Sequence, residues 1–295
     1  MADAATGELQ AAGGRVTVGE LPGAGDVFDR ASGENFSVAS LVVGRANRRH
    51  LTAIYGFARL VDEIGDAATG DRRALLDAFE SDVDRVFAGA RPEHPVLAQL
   101  APSVRELRLP RDPFDRLIEA NRRDQRQTEY ETFAELVDYC DLSANPVGEL
   151  VLHIFRAATP ALVALSDKIC TALQLAEHWQ DVAEDFAAGR VYLPAEDLDR
   201  FELEPGELAA KETSPRVRAL LAFQVTRARA LLDGGAPLVE RLHGRARVAV
   251  AGYVGGGRAA LEAIAATGYD VLAGPPRAGR LHRAQSTLAT YRRRR

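Results

Sequence analysis

Two pairs of aspartates are the residues of this sequence whose types and spacing best suit chemistry. Asp62 and Asp66 form one pair, and Asp181 and Asp185 form the other. Residues four apart on an α-helix lie one above the other on the same face, so the two carboxylates of a pair repel. A bound cation would offset that repulsion, whereas a solvated acidic face would need no ligand. Either pair alone is compatible with both interpretations.

The second pair ends a polar stripe on an otherwise apolar segment. Gln174, Glu177, Asp181 and Asp185 follow one another at steps of three, four and four residues. On a helix, such a stripe either faces solvent or lines a cavity. Because acidic stripes occur on two separate segments, we favour a cavity in which both face the same ligand.

Magnesium chemistry gives the two stripes a common purpose. Mg2+ binds only a few carboxylates, keeps several waters and bridges to the phosphate oxygens of a substrate. The pattern therefore predicts two or three Mg2+ ions around a diphosphate, with charge on the leaving group neutralised by metal. The residues expected to hold the metal are Asp62, Glu63, Asp66, Asp181, Glu184 and Asp185.

Each acidic segment also carries an arginine suited to phosphate. Arg59 lies three residues before Asp62, and Tyr55 lies four residues before Arg59, on the same side of the predicted helix. Arg190 follows Gly189, which is a predicted helix C-cap. We expect both guanidinium groups to contact diphosphate. For Arg190 the alternative is an interaction with the C-terminal dipole of the preceding helix.

The elements that must position these residues are predicted to be helices. From Glu34 onwards Ala, Leu, Arg and Glu are abundant, apolar residues recur every three or four positions, and no strand-turn-strand pattern occurs. The predicted fold is an all-α, single-domain bundle with a central cavity. We assign a leader to residues 1–32, the helical domain to 33–275 and a basic tail to 276–295. The helix carrying the second stripe is predicted to run unbroken over Leu162–Asp185.

Composition excludes several classes of protein. The chain is 46% hydrophobic and 27% charged, which is typical of a globular protein. The net charge of -5 and the lack of a nucleic-acid-reading motif argue against nucleic acid as a partner. Cys140 and Cys170 have no metal-ligand spacing, so we interpret them as reduced thiols of a cytoplasmic protein. Neither a signal peptide nor a membrane-spanning apolar run is predicted.

The last twenty residues are strongly basic. They contain seven arginines and no acid. We interpret them as a solvated, disordered tail. The alternative is peripheral contact with the anionic inner face of a membrane, through this charge together with Leu281 and Leu288.

Around these residues the sequence resembles the squalene/phytoene synthase family of head-to-head prenyl transferases. Arg59–Asp66 resembles the first acidic motif of that family, with Glu63 where Asp is usual. Gln180–Asp185, followed by Gly189–Pro194, resembles the second motif and its flap. Tyr139-Cys140 with Val147-Gly148 resembles the helix that lines the family's pocket, and Gly268–Leu272 resembles its C-terminal signature.

Within the family, three segments resemble the hopanoid-associated hydroxysqualene synthase branch: Glu34–Phe36, Ser143–Gly148 and Leu175–Asp181. The resemblance implies an isoprenoid-synthase bundle in which presqualene diphosphate loses diphosphate and water captures the rearranged cation. The substrate would be a prenyl diphosphate, and no NADPH is expected because water rather than hydride ends the reaction. A presqualene diphosphate synthase is then an expected functional partner.

Two alternatives to that reaction stay open. One is a synthase that joins two prenyl diphosphates head to head to give squalene, dehydrosqualene or phytoene. The other is a non-catalytic relative that acts as a binding or assembly protein. The second alternative predicts damaged acidic stripes, whereas all four aspartates are present here.

One departure from the family pattern concerns the fate of the cation. Glu177 and Gln180 stand where many members carry Asn and Arg. We hypothesise that Glu177 or Gln174 holds the water that quenches the cation. His178 and Trp179 are predicted to pack in the core, away from this stripe.

Aromatic residues are expected to surround the cation, because aromatic faces stabilise positive charge. The candidates for the pocket lining are Phe36, Tyr55, Tyr139 and Tyr192. Gly252-x-x-Gly255-Gly256-Gly257 lies in an Ala-rich helical stretch, so we interpret it as a helix-packing feature rather than a dinucleotide-binding loop.

Overall fold

The computed structural model describes residues 17–23 and 44–292 of the 295-residue chain. Regular structure in these residues consists of helices, together with one isolated bridge between Glu129 and Val191. The first half contains α1 Gly44–Asp66, α2 Arg72–Phe87, α3 Pro95–Leu107, α4 Asp112–Asp124, α5 Phe133–Ser143 and α6 Asn145–Ile154. The second half contains α7 Pro160–Gln180, α8 Val182–Ala187, α9 Ala195–Arg200, α10 Pro215–Gly235, α11 Leu238–Arg241, α12 Gly244–Ala266 and α13 Arg280–Arg292. Short 3-10 turns span Val18–Glu20 and Pro205–Ala209.

Several helices begin at side chains that the sequence supplies for capping. Asp71 accepts from the backbone N–H groups of Arg73 and Ala74 at the start of α2. Thr132 and Ser214 cap α5 and α10 in the same way. These caps satisfy backbone donors that have no partner within the helix. The prediction of an all-α fold is therefore confirmed for the residues described.

The core consists of two apolar clusters that meet. In the first, Phe57 of α1 packs against Phe79 and Phe114, with ring centroids 5.3 and 4.9 Å apart. In the second, α7 packs against α10 and α12, and Trp179 is fully buried. Phe155 and Tyr253 pack against both clusters, so the core is continuous. The described helices thus form one bundle, as predicted.

The helix that carries the second acidic stripe is interrupted. Helix α7 ends at Gln180, Asp181 adopts φ -104° and ψ 15°, and α8 begins at Val182. The prediction of one unbroken helix to Asp185 is therefore wrong. Neither glycine nor proline marks the break, so the sequence carried no local signal for it.

The C-terminal segment is folded rather than disordered up to Arg292. Arg280–Arg292 form α13, which packs along α12. A Cβ on Gly255 of α12 would lie 2.5 Å from the backbone of Thr287, so glycine permits a close approach of the two helices. The prediction of a disordered tail is wrong for these residues, while the packing role of the α12 glycines is supported at Gly255.

None of the helices described here is long and apolar enough to cross a bilayer.

Candidate functional site

A cavity of about 290 Å3 lies where α1, α4, α5 and α7 converge. Most of the polar residues predicted for the site lie on its wall. The lining residues are Asp62, Asp66, Leu117, Ala120, Asn121, Asp124, Tyr139, Ser143, Gln174, Glu177, His178, Asp181, Asp185, Arg190 and Tyr192. The cavity therefore brings together both aspartate pairs, which are more than a hundred residues apart in sequence.

The first aspartate pair occupies the C-terminal end of α1. Burial, together with the nearby charge of Asp66, raises the pKa of Asp62 to about 6. The amide Nδ2 of Asn121, on α4, donates a hydrogen bond to Asp62 Oδ1 at 3.2 Å. This hydrogen bond lowers the pKa of Asp62 and so partly offsets the effect of burial. Asp62 is thus a carboxylate whose negative charge the protein alone stabilises poorly.

The second aspartate pair lies at the break between α7 and α8. Burial raises the pKa of Asp181, and the charges of Glu184 and Asp185 add to the effect. The backbone N–H of Asp185 donates to the carbonyl of Asp181 at 2.8 Å, which keeps the two residues one turn apart despite the break. Glu177 and Gln174 line the same cavity one and two turns before Asp181, as the spacing predicted.

A fifth aspartate, Asp124, lies on the cavity wall at the end of α4. Burial raises its pKa to about 6, and the Tyr139 hydroxyl donates to its Oδ2 at 2.8 Å, which lowers the pKa. Sequence reasoning missed Asp124 and Asn121. Their three-residue spacing places them on one helix face, but the surrounding run of Arg and Gln is typical of a solvated surface.

An aromatic stack forms one side of the cavity. Tyr192 stacks on His178 with ring centroids 3.7 Å apart, and on Tyr130 and Tyr139 at 5.8 and 5.9 Å. Tyr139 and Tyr192 line the cavity, as predicted. The stack presents flat, electron-rich surfaces to whatever occupies the cavity.

His178 belongs to the site as well as to the core. It is buried, as predicted, but it also lines the cavity, and its Nδ1 lies 3.9 Å from Asp185 Oδ2. Its Nε2 lies 3.3 Å from Gln174 Nε2, since residues four apart share a helix face. Burial lowers the pKa of His178, which favours a neutral ring. The expectation that it points away from the polar stripe is wrong.

The flap after α8 positions Arg190 and Tyr192. Gly189 adopts φ 79°, a left-handed conformation suited to glycine, and the N–H of Arg190 donates to the Asp185 carbonyl at 2.9 Å. The next residue, Val191, donates its N–H to the Thr128 carbonyl at 2.8 Å. These backbone bonds fix the flap, whose Arg190 and Tyr192 line the cavity.

Arg190 connects the two halves of the site. Its Nη2 donates to Asp66 Oδ1 at 2.6 Å, so a guanidinium from the second motif binds a carboxylate from the first. Both side chains keep access to solvent, with exposed fractions of 26% and 53%. The pair can therefore exchange partners when a ligand enters.

Four of the predicted residues, namely Tyr55, Arg59, Glu63 and Glu184, do not line this cavity. Arg59 Nη2 lies 3.9 Å from Glu63 Oε2 on α1. Tyr55 is half-buried on α1, and Glu184 is exposed on α8. Phe36 lies outside the described residues. The roles proposed for these residues stay predictions.

Among the residues described, no group of three or more His, Cys, Asp or Glu side chains is arranged to hold a metal ion by itself. The acidic groups instead lie around the cavity in pairs. A cation bound here would need further ligands from water or from a second molecule.

Comparisons with known proteins give consistent results. A sequence model of the family described as squalene/phytoene synthase matches residues 29–287. The chain is 33% identical over 213 residues to the hydroxysqualene synthase of Sinorhizobium fredii, covering 71% of each chain. It is 30% identical over 243 residues to the phytoene synthase of Mycobacterium bovis, covering 81% of this chain and 80% of that one.

Solved structures show the same similarity. The crystal structure of squalene synthase HpnC from Alicyclobacillus acidocaldarius superposes with a TM-score of 0.78 at 42% identity, covering 87% of this chain and 98% of that one. A dehydrosqualene synthase superposes with a TM-score of 0.81 at 23% identity, covering 89% and 92%. At the lower identity the similarity shows the fold alone.

Proposed function

This chain belongs to the squalene/phytoene synthase family, and on that premise we propose that it converts presqualene diphosphate and water into hydroxysqualene and diphosphate. The observation that carries the proposal is the cavity in which two aspartate pairs, Arg190 and an aromatic stack meet. The similarity to the hydroxysqualene synthase of Sinorhizobium fredii and to the squalene synthase HpnC favours this reaction within the family.

The donor set fits Mg2+ held jointly with a diphosphate. Burial and neighbouring acidic charges raise the pKa of Asp62 and of Asp181, so added positive charge would favour their ionised forms. Asp62, Asp66, Asp181 and Asp185 would hold two or three ions, with Glu63 and Glu184 in support. When bound, Mg2+ supplies positive charge that stabilises the departing diphosphate.

Arg190 would bind the diphosphate in the first step. Arg190 lines the cavity and is partly exposed, and its planar fork of N–H donors suits phosphate oxygens. The C–O bond to diphosphate then breaks, and its electron pair leaves with the diphosphate. Exchange of Asp66 for phosphate would leave Arg190 with an anionic partner throughout.

The aromatic stack would protect the cation formed in that step. Tyr139 and Tyr192 present ring faces to the cavity, and such faces stabilise positive charge by roughly 0.5 to 2 kcal/mol. Enclosure by the flap limits access of other water. The cation can therefore rearrange before it is captured.

Gln174 or Glu177 would hold the water that ends the reaction. Both line the cavity on the face of α7 that leads to Asp181. Attack forms a C–O bond at the cation, and the proton released from water passes to a carboxylate or to solvent. No electrons are exchanged in this sequence, so the proposal includes no NADPH.

The reaction is tested by product analysis with Mg2+ and two substrates in parallel. With presqualene diphosphate, hydroxysqualene should appear together with one equivalent of diphosphate. Turnover of farnesyl diphosphate alone to a hydrocarbon would contradict the proposal and favour a head-to-head synthase. Glu177→Gln should change the ratio of alcohol to other products, and an unchanged ratio for it and for Gln174→Leu would refute the water-holding role.

A head-to-head synthase is the second candidate, because the phytoene synthase of Mycobacterium bovis matches a larger share of the chain. A non-catalytic role is the third. Release of diphosphate that requires Mg2+ and is abolished by Asp181→Asn would exclude the third candidate. Addition of a presqualene diphosphate synthase should allow farnesyl diphosphate to serve as the starting substrate if the two enzymes act in sequence.

A further inference from the structure

Helix α13 carries the large apolar side chains that are most exposed in the described part of the chain. Leu281, Leu288 and Tyr291 have exposed fractions of 73%, 46% and 40%. Leu281 and Leu288 are seven residues apart, so they lie two turns apart along one helix face. Clustered exposed apolar residues, unlike scattered ones, indicate an interaction surface.

The opposite face of α13 is fixed to the bundle. Thr290 is buried, and Arg258 Nη1 donates to its hydroxyl at 2.9 Å. Arg247 Nη2 donates to the Tyr291 carbonyl at 3.0 Å, and Gly255 lies against the backbone of Thr287. Rotation of the helix to bury its leucines would break these contacts. The exposure of the leucines is therefore a property of the fold.

The charged residues of α13 itself are arginines. Arg280 and Arg292 are exposed at the two ends of α13, and the sequence continues with three further arginines. No acid occurs between Pro276 and Arg295. Glu262 of α12 is one carboxylate close to this helix, and its Oε2 lies 2.7 Å from His282 Nε2. The two exposed leucines thus lie between an exposed arginine at each end of the helix.

We propose that α13 is an interfacial helix by which the protein adsorbs to an anionic lipid bilayer. Leucines would enter the boundary between headgroups and acyl chains, while the arginines meet lipid phosphates. A second copy of this chain is a poorer occupant, because a two-fold contact would place like arginines together. Nucleic acid would contact the arginines and gain nothing from the exposed leucines.

The segment that leads into α13 also connects this surface to the cavity. The Gln180 side-chain amide donates to the carbonyl of Pro276, and the charge of Arg277 acts on Asp181. Gln180 and Asp181 stand at the break between α7 and α8. Adsorption through α13 would therefore fix the position of the acidic site relative to the lipid surface.

Co-sedimentation of the full-length protein with vesicles tests the proposal without any substrate. One set of vesicles contains phosphatidylcholine alone, and the other contains equal parts of phosphatidylcholine and phosphatidylglycerol. Binding is expected to the anionic vesicles at low salt and should weaken as salt is raised. Equal binding to both compositions, or none to the anionic vesicles, would overturn the proposal.

Paired variants separate charge from apolar contact. Arg280→Gln with Arg292→Gln should weaken binding to anionic vesicles about 25-fold, at roughly fivefold per arginine. Leu281→Ser with Leu288→Ser should weaken it at least about tenfold.

The matched control is Arg73→Gln with Arg105→Gln, which removes the same charge from exposed positions of α2 and α3 and should leave binding unchanged. If the control weakens binding as much as the α13 pair does, the attraction is unspecific and the assignment to α13 is wrong. If the leucine variants bind vesicles normally and instead reduce the mass of the protein in solution, the face is a contact between copies of the chain.

Discussion

Replacement of Asp62 with Asn should stabilise the protein at neutral pH. Burial raises the pKa of Asp62 from 3.8 to about 6. A carboxyl whose folded-state pKa is raised contributes stability below its unfolded pKa, and that contribution is lost as the pH rises through the folded pKa. One pKa unit corresponds to about 1.36 kcal/mol, so the ionised carboxylate costs about 2 to 3 kcal/mol at pH 7. Asn removes the charge and keeps the shape.

Urea unfolding of the wild type and Asp62→Asn at pH 7 and pH 5 measures this cost. At pH 5 the folded-state carboxyl is largely protonated, so the gain from Asn should fall to roughly half its value at pH 7. Diphosphate release should be lost in the same variant. The stability and the proposed activity therefore change in opposite directions at this residue.

Asp82 provides the matched control, because it is a buried aspartate whose charge is stabilised by backbone hydrogen bonds. Its two oxygens accept from the backbone N–H groups of Glu93 and His94 at 2.7 and 2.8 Å. Asp82→Asn should therefore destabilise the protein by about 1 to 2 kcal/mol. If Asp62→Asn also destabilises, or if its gain does not shrink at pH 5, the argument from buried charge is refuted.

Three further predictions concern the site and its support. Tyr139→Phe removes the hydrogen bond that lowers the pKa of Asp124. The acidic limb of the pH–rate profile for diphosphate release should therefore move up by as much as about one pH unit. An unmoved limb would mean that ionisation of Asp124 does not limit turnover. Arg190→Lys keeps the charge but loses the guanidinium fork, so KM for the diphosphate substrate should rise about tenfold or more, and an unchanged KM would remove Arg190 from the binding site. Gly255→Ala should destabilise the protein by about 1 to 3 kcal/mol in urea unfolding, because its Cβ would meet the backbone of α13. Gly256→Ala has open space at its Cβ and should stabilise the protein by about 0.5 to 1 kcal/mol. A change of the same sign in both variants would contradict the packing of α13.

The two aspartate pairs could be predicted from the sequence because their spacing is local. Four-residue steps place side chains on one helix face wherever the helix lies in the fold. That both faces meet in one cavity followed from a chemical argument, namely that a diphosphate needs metal on more than one side. The family resemblance read from these motifs is confirmed by the family match over residues 29–287.

Asp124 and Asn121 could not be predicted, because their meaning depends on a contact between distant helices. In sequence they lie within a run of Arg and Gln that is typical of solvated helix surfaces. Only the packing of α4 against α1 brings Asn121 to Asp62. His178 was misjudged for a related reason, since its burial was expected but its stacking on the flap residue Tyr192 depends on a loop after the helix.

The tail shows how composition can mislead. Arginine-rich ends are commonly solvated, and the pattern of Arg280–Arg292 contains few apolar residues to suggest a packed face. Helix α13 is held by hydrogen bonds from Arg247 and Arg258 of α12, and Gly255 leaves room for its backbone. A glycine on α12 makes room for α13, but nothing in the sequence of α13 itself indicates that such room exists.

The close contact at Gly255 makes α13 a rigid attachment rather than a flexible one. A flexible chain of twenty residues would let the bundle rotate freely relative to anything that its end touched. Because α13 packs closely against α12, a surface that binds α13 would fix the orientation of the whole bundle as well as its position. The orientation of the acidic cavity relative to that surface would then be fixed as well. A single methyl group at position 255 would be enough to loosen this alignment.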